Sequence, residues 1–304
     1  MSRGGEGGPS GPSPGRRGGA AAPAAGAVPE APLRFWDRYQ DPRRAEADWD
    51  RGAAELAARH PLREQDPRPD LPGIRARTRR LLRWKALRYL VAHDERRVLQ
   101  RYVFRHPLRH GWGLIRSYLR RRRYLREGDF WLLGVSGQAE LERLLARPDT
   151  RFVVGFSYCH KPFECPSGRF SDACRADPGH PVCRQCFIGK CVNALDAERG
   201  KPLFIPTVHY IGEQVLALQS DGHPGPTVFM ITACELTLEM FADWGNMTDI
   251  VCAGVRLDGV ICNTMRAFEA SERGIKPGLT MVREQTARRM LELIRLHRLA
   301  DDAG

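Results

Sequence analysis

Residues 151–191 read RFVVGFSYCHKPFECPSGRFSDACRADPGHPVCRQCFIGKC. The first seven residues, Arg151–Ser157, form a short apolar, partly β-branched run of the kind that makes a buried strand. It runs straight into the segment from Cys159 to Cys191, which holds six of the nine cysteines of the chain. Their spacing is C-x5-C-x8-C-x8-C-x2-C-x4-C, with His160 and His180 alongside. A loop this rich in Pro, Gly and Cys needs something to hold it, and the choices are disulfides, zinc or an iron–sulfur cluster.

Disulfides fit least well. A chain of 304 residues can bury a core without them. The N-terminus shows no apolar stretch of a secretory signal, and no apolar run approaches the ~18–20 residues of a membrane span. The expectation is a cytoplasmic chain with reduced thiols. Cys183-x2-Cys186 is a normal half-site for zinc or for a cluster. The candidate ligands are mostly thiols rather than a Cys/His mixture, which tilts the reading to iron–sulfur, of the [4Fe–4S] type, with zinc as the alternative. The metal candidates are Cys159, Cys165, Cys183 and Cys186, followed by Cys174, Cys191 and His209.

Working downstream, apolar runs recur at 203–208, 227–233 and 250–256. Helical patterns lie between and after them, at 192–199, 212–219, 235–242 and 282–299. Strands alternating with helices predict an α/β fold, a small open and mostly parallel sheet of Rossmann-like type over residues 129–304. No Gly-x-Gly-x-x-Gly follows a strand, so nothing supports a dinucleotide site. Ligands of such sheets bind at the carboxyl ends of the strands. Cys159, His209, Tyr210, Cys234, Glu235 and the 258–264 loop with Cys262 would all leave from that edge. The topology therefore predicts that Cys234 and Cys262 join the cysteine loop in one cofactor site made of Cys159, Cys165, Cys183, Cys186, Cys234 and Cys262. Cys234 would open a helix, whose dipole lowers a thiol pKa. Cys252, inside a strand, reads as core. Asp258 reads as a turn residue, Glu235 as a helix-start carboxylate, and His209 as a hydrogen-bonded loop histidine as readily as a ligand.

Working upstream, residues 1–32 are Gly/Pro/Ala-rich and read as disordered. In 33–73, Phe35, Trp36, Tyr39 and Trp49 read as aromatics that dock on the fold, before a short helix near 53–59 and a Pro-rich linker. Residues 74–126 carry 17 Arg and one Lys against Asp94 and Glu95, while the whole chain is only +12. Their apolar positions fall in helical stripes: Leu81, Trp84 and Val91; Val98, Leu99, Tyr102 and Val103; Trp112, Ile115, Tyr118 and Leu119. The organisation is thus a tail (1–32), a basic helical region (33–128) and the cysteine-rich domain (129–304). The basic helices suit a solvated face packed on the fold, an anionic membrane surface at the inner face of a membrane, or, less well for want of any motif, nucleic acid.

Cys183-Arg-Gln-Cys186-Phe-Ile-Gly, Ala-Cys234-Glu235-Leu and Gly-Val-Arg-Leu-Asp-Gly-Val-Ile-Cys262-Asn-Thr, with Cys159-His-Lys and Glu-Cys165-Pro-Ser before them, resemble the cysteine-rich prokaryotic family catalogued as domain of unknown function 116. The resemblance covers about residues 150–280. It implies an α/β domain with Cys159, Cys165, Cys183, Cys186, Cys234 and Cys262 as the shared set. Cys174, Cys191 and the long 169–181 segment depart from that pattern. The family name carries no activity. The reading from sequence is an iron–sulfur protein of redox or maturation type with an unknown redox or substrate partner. The alternative is a zinc-stabilised binding module or adaptor working through residues 74–126.

Overall fold

The computed structural model describes residues 34–63, 74–119 and 123–301. Seven strands form one sheet: β1 (Leu125–Glu127), β2 (Phe130–Leu133), β3 (Arg151–Ser157), β4 (Gly200–Ile205), β5 (Thr227–Cys234), β6 (Val251–Gly259) and β7 (Thr280–Met281). Their order is β1-β2-β6-β5-β3-β4, with β7 added to the end of β6. The helices are α1 (Pro42–Arg59), α2 (Ala76–Arg79), α3 (Leu82–Ala92), α4 (Pro107–Leu119), α5 (Gln138–Leu145), α6 (Pro181–Gln185), α7 (Phe187–Ala194), α8 (Val208–Gln219), α9 (Glu235–Met247), α10 (Met265–Ser271) and α11 (Glu284–Arg298).

The fold is α/β, an open Rossmann-like sheet whose central strands β4, β3, β5 and β6 are mutually parallel. These strands read as near-continuous apolar runs because helices cover both faces. Phe152, Val154 and Phe156 of β3 face a core shared with α5, α7 and α11, and Val153 faces a core shared with α8. Pro202 is tolerated in β4 because that strand is at the sheet edge. The chain leaves β3 toward β4 on one side and leaves β5 toward β6 on the other, so a topological switch point lies between β3 and β5.

Several boundaries differ from the sequence reading. The sheet begins at Leu125, before residue 129, with the antiparallel β1 and β2, each too short to show a period. The expected 203–208 strand is Gly200–Ile205, because Pro206 and Thr207 already start a helix: the Thr207 hydroxyl caps α8 by accepting from Tyr210 N at 3.2 Å. His209 therefore sits in the first turn of α8 rather than in a loop. The expected 192–199 helix is α7 at Phe187–Ala194. The 1–32 tail, Pro67, Pro69, Pro72 and Arg120 to Arg122 lie outside the described residues.

The upstream region packs on this sheet. Phe35, Trp36 and Trp49 are buried in the main core, as the reading of docked aromatics expected. Helices α3 and α4 lie against α9. Asp243 of α9 pins them: its carboxylate accepts from Arg83 Nε at 2.6 Å and from Ser117 Oγ at 2.7 Å. The apolar stripes of α3 and α4 do not face that contact. Leu82, Ala86, Tyr89 and Leu90 pack inward, whereas Leu81, Trp84, Val91, Leu108, Trp112, Ile115 and Leu119 are exposed, with Trp84 at 61% and Leu108 at 88%.

Candidate functional site

The nine cysteines fall into two interacting groups and two core residues. The first group is in the loop between β3 and α7. Cys165, Cys174, Cys183 and Cys186 lie within electrostatic range of one another. Backbone N–H groups near three of the four sulfurs favour their thiolates: Ala176 at Cys174, Asp177 at Cys183, and Ile188 and Gly189 at Cys186. The turn around Cys183 and Cys186 is tight enough that a Cβ on Gly189 would sit 2.2 Å from the Cys183 carbonyl oxygen. The two residues between them face the other way. Arg184 donates to the carbonyls of Asp48 and Trp49, and Gln185 to that of His60, so α1 clamps this turn from outside. Burial raises Cys183 to about 11 and Cys186 to about 12, so each keeps its proton until a soft cation replaces it.

Lys161 organises this loop. Its side chain is buried, and its ammonium donates to the carbonyls of Gly168 (3.3 Å), Ser171 (2.8 Å) and Ala173 (2.8 Å). Burial lowers its pKa, opposed by Cys165, Cys174 and Cys186 nearby. A cation here stabilises anionic sulfur in the same loop.

The second group is at the carboxyl edge of the sheet, beside the switch point. A small cleft of about 60 Å³ is lined by Cys159 after β3, Cys234 at the end of β5, Cys262 after β6, and Lys276, Glu272 and Ser271. Lys276 Nζ donates to Cys262 Sγ at 3.2 Å, and Ser271 Oγ lies 3.5 Å from the same sulfur. Cys262 is pulled well below the usual thiol range by the hydrogen bond from Cys234, then by the Lys276 charge. Cys234 is pushed up in turn by its bond to Cys262 and by burial. This reverses the expectation for Cys234, because its hydrogen bond with Cys262 and its burial outweigh the α9 dipole and the Lys276 charge, both of which favour its thiolate. Burial works to lower Lys276, but Cys262, Cys159 and Cys234 hold it above its ordinary value. Cys159 is raised, chiefly by burial. Glu272, which accepts from Val208 N at 2.9 Å, is raised to about 7 by burial.

One side chain ties the groups together. The guanidinium of Arg169 donates to the carbonyls of Lys161 (3.2 Å) and Cys159 (3.3 Å), and to those of Lys276 (3.1 Å) and Gly278 (2.8 Å). The 169–181 segment therefore contributes a structural clamp.

The single site expected from topology is thus two. Cys234 and Cys262 do reach the edge where the loop begins, but the thiol they meet is Cys159; Cys183 and Cys186 interact with Cys165 and Cys174. Cys191 is fully buried in the main core with Ile188 and Leu195. Cys252 is in the core on the opposite sheet face, as expected. His209 is away from both groups: its Nε2 meets the Leu90 carbonyl at 3.2 Å and its ring lies against Tyr89. Glu235, read as a helix-start carboxylate, begins α9 and pairs with Arg79. Asp258 pairs with Arg283 at 2.7 Å. The sequence reading missed Lys161, Arg169 and Lys276. The one available signal was scarcity: the chain has only five lysines among 48 basic residues, and two of them serve these sites.

The donor chemistry of the loop group, four thiols with N–H donors to sulfur, suits an iron–sulfur cluster. Among the described residues, no group of three or more His, Cys, Asp or Glu is gathered closely enough to hold a metal ion. Compared with known proteins, the chain matches no family model, no curated protein and no solved structure.

Proposed function

We propose that the protein is an iron–sulfur protein of redox or maturation type. In this reading Cys165, Cys174, Cys183 and Cys186 hold a [4Fe–4S] cluster, and the Cys159, Cys234 and Cys262 group beside it is the thiol centre that meets the partner molecule. The observation that supports the reading is a four-thiol loop in which backbone N–H groups near three of the sulfurs favour thiolate. Zinc needs four donors at about 2.3 Å from one point. All four candidate donors of the loop are thiols, which favours the cluster. Once bound, a cluster supplies one-electron chemistry. The chain's own residues do the rest: Lys161 orders the loop, Arg169 fixes it against the 276–278 turn, and Lys276 keeps the Cys262 sulfur anionic in the cleft. Six of these seven cysteines, all but Cys174, carry the resemblance to domain of unknown function 116, which belongs to this reading. Anaerobic purification tests it. A brown protein with stoichiometric iron and sulfide is expected; a colourless protein with one zinc would replace the cluster with the zinc alternative.

A second reading concerns location. No described helix is long and apolar enough to cross a membrane. The outer faces of α3 and α4 nevertheless expose Leu81, Trp84, Val91, Leu108, Trp112 and Ile115, and Trp84 and Tyr118 line one shared groove. Exposed Arg77, Arg80, Arg88, Arg97, Arg105 and Arg109 flank them without an ion-pair partner among the described residues. Arg123 does not contribute, being paired with Glu239 at 2.6 Å. Aliphatic and Trp side chains rimmed by free Arg suit the interface of an anionic bilayer better than nucleic acid. The full chain should sediment with phosphatidylglycerol vesicles and less with phosphatidylcholine alone, and should be released by salt. Trp84→Ser with Trp112→Ser should lose at least tenfold in binding. Retention of full vesicle binding by that double variant, or tighter binding to nucleic acid, would remove this reading.

A further inference from the structure

We propose that an apolar cavity between the sheet and helices α8 and α9 binds one long aliphatic chain, the hydrocarbon part of a fatty acid or acyl lipid. The cavity has a volume of about 180 Å³, comparable with the roughly 150 Å³ apolar cavities that stay dry and take up hydrocarbon. Protein interiors hold few voids larger than a water molecule, so a space of this size is not a packing defect.

Its walls exclude most ligand chemistries. Leu133, Ile231, Val215, Leu216, Leu238 and Phe241 represent the lining. The polar lining residues already have partners inside the protein. The Asp94 carboxylate accepts from Val98 N (2.6 Å) and Leu99 N (3.0 Å), His209 meets the Leu90 carbonyl, Tyr124 donates to Glu239, and the Thr248 hydroxyl donates to the Trp244 carbonyl. Water gains little in such a space, because it needs two to four polar partners. A hydrocarbon chain needs none. Trp131 Nε1 is buried and has no partner among the described residues, which suits a carboxyl or ester oxygen on the chain.

The cover of the cavity points to where such a chain comes from. Leu90, Val98, Leu99 and Val103 line the cavity, while their neighbours Val91 and Phe104 are 60% and 64% exposed. One side of this segment thus faces the cavity and the other the Arg-rich apolar surface. The cover is lightly held: none of the residues of the π-turn Leu99–Val103 is fully buried, and Arg97 just before it has a φ of 53°. Exposed Arg97 and Arg105 flank it and suit an anionic head group.

The test uses the full chain, stripped of bound lipid by a hydrophobic resin and free of vesicles. Titration with cis-parinaric acid should saturate at one equivalent. Competition by saturated fatty acids should strengthen by about fourfold per added CH₂ until the cavity is full, the yield of burying a methylene. Gly212→Phe fills the space from within: Gly212 lines the cavity and a Cβ there meets nothing within 4 Å. It should weaken binding at least tenfold with an unchanged or higher unfolding temperature, and Val215→Trp should do the same. Trp84→Ser with Trp112→Ser should lose vesicle binding but keep parinaric acid, which separates the cavity from the surface. Absence of saturable binding, affinity independent of chain length, or equal binding by both filled variants would overturn the proposal.

Discussion

The groups that favour thiolate at Cys183 and Cys186 are backbone N–H groups a few residues away in the same loop. Cys262 takes its partners from Cys234, Ser271 and Lys276, on other segments brought together by the sheet. The first environment is local and forms wherever the turn forms. The second exists only when β3, β5 and β6 are aligned and the 276–278 turn is docked. Local N–H donors favour anionic sulfur without adding a charge, which suits a ligand; a lysine ammonium fixes one sulfur as a thiolate facing a cleft, which suits reaction. The difference teaches that these cysteines are two devices held in register, and Arg169 is what holds them.

Arg169→Ala should break the comparison most severely. It leaves four carbonyls without their charged donor, and the expected loss is about 3–4 kcal/mol in urea unfolding. Labelling of Cys159 and of Cys183 should both rise. An unfolding curve superimposable on the parent would show that the two groups do not depend on this clamp.

Glu272 gives the next effect. Its pKa is raised to about 7 by burial, against an ordinary 4.5, so the folded state holds its proton more tightly than the unfolded state. The stability it lends is full below about pH 4.5 and is lost as pH rises through about 7. Replacement by Gln should remove this slope, making the variant more stable than the parent at pH 8 by on the order of 2–3 kcal/mol, with little difference at pH 5. Parallel stability profiles for the two proteins would contradict the assignment.

Lys276→Met sharpens the edge group alone. Cys262 should lose its cationic partner, and its reaction with a small thiol-reactive probe at about pH 5 to 6 should slow as its thiolate fraction falls. Cys183 and Cys186 should react as before. A uniform change at all sites would mean that the variant loosens the fold rather than retuning one sulfur.

The fold was legible where burial writes a long signal. Arg151–Ser157 is the strand the sequence predicted, because a parallel strand covered on both faces is apolar at nearly every position. β1, β2 and β7 were not legible, being two to four residues long. The Cys183–Cys186 pair was legible because two intervening residues are a local constraint. Cys174, with eight residues between it and each flanking cysteine, was legible only as a secondary candidate; the Lys161 carbonyl contacts fold the loop that carries it. Lys161 and Lys276 escaped because a lysine in a basic chain reads as solvent-facing. Periodicity in α3 and α4 located the apolar stripes but not the side they face: Leu81, Trp84 and Val91 were read as one packing stripe, and the contacts to α9 use Leu82, Ala86 and Leu90 instead.

Iron content in single Cys→Ser variants tests the separation of the two groups most directly. The full chain would be purified anaerobically, with iron and sulfide measured per chain and the visible spectrum recorded. Cys183→Ser and Cys186→Ser should lose most of the iron and colour, whereas Cys234→Ser and Cys262→Ser should keep both. Equal loss in all four variants, or retention in all four, would contradict the account of a ligand loop beside a separate thiol centre.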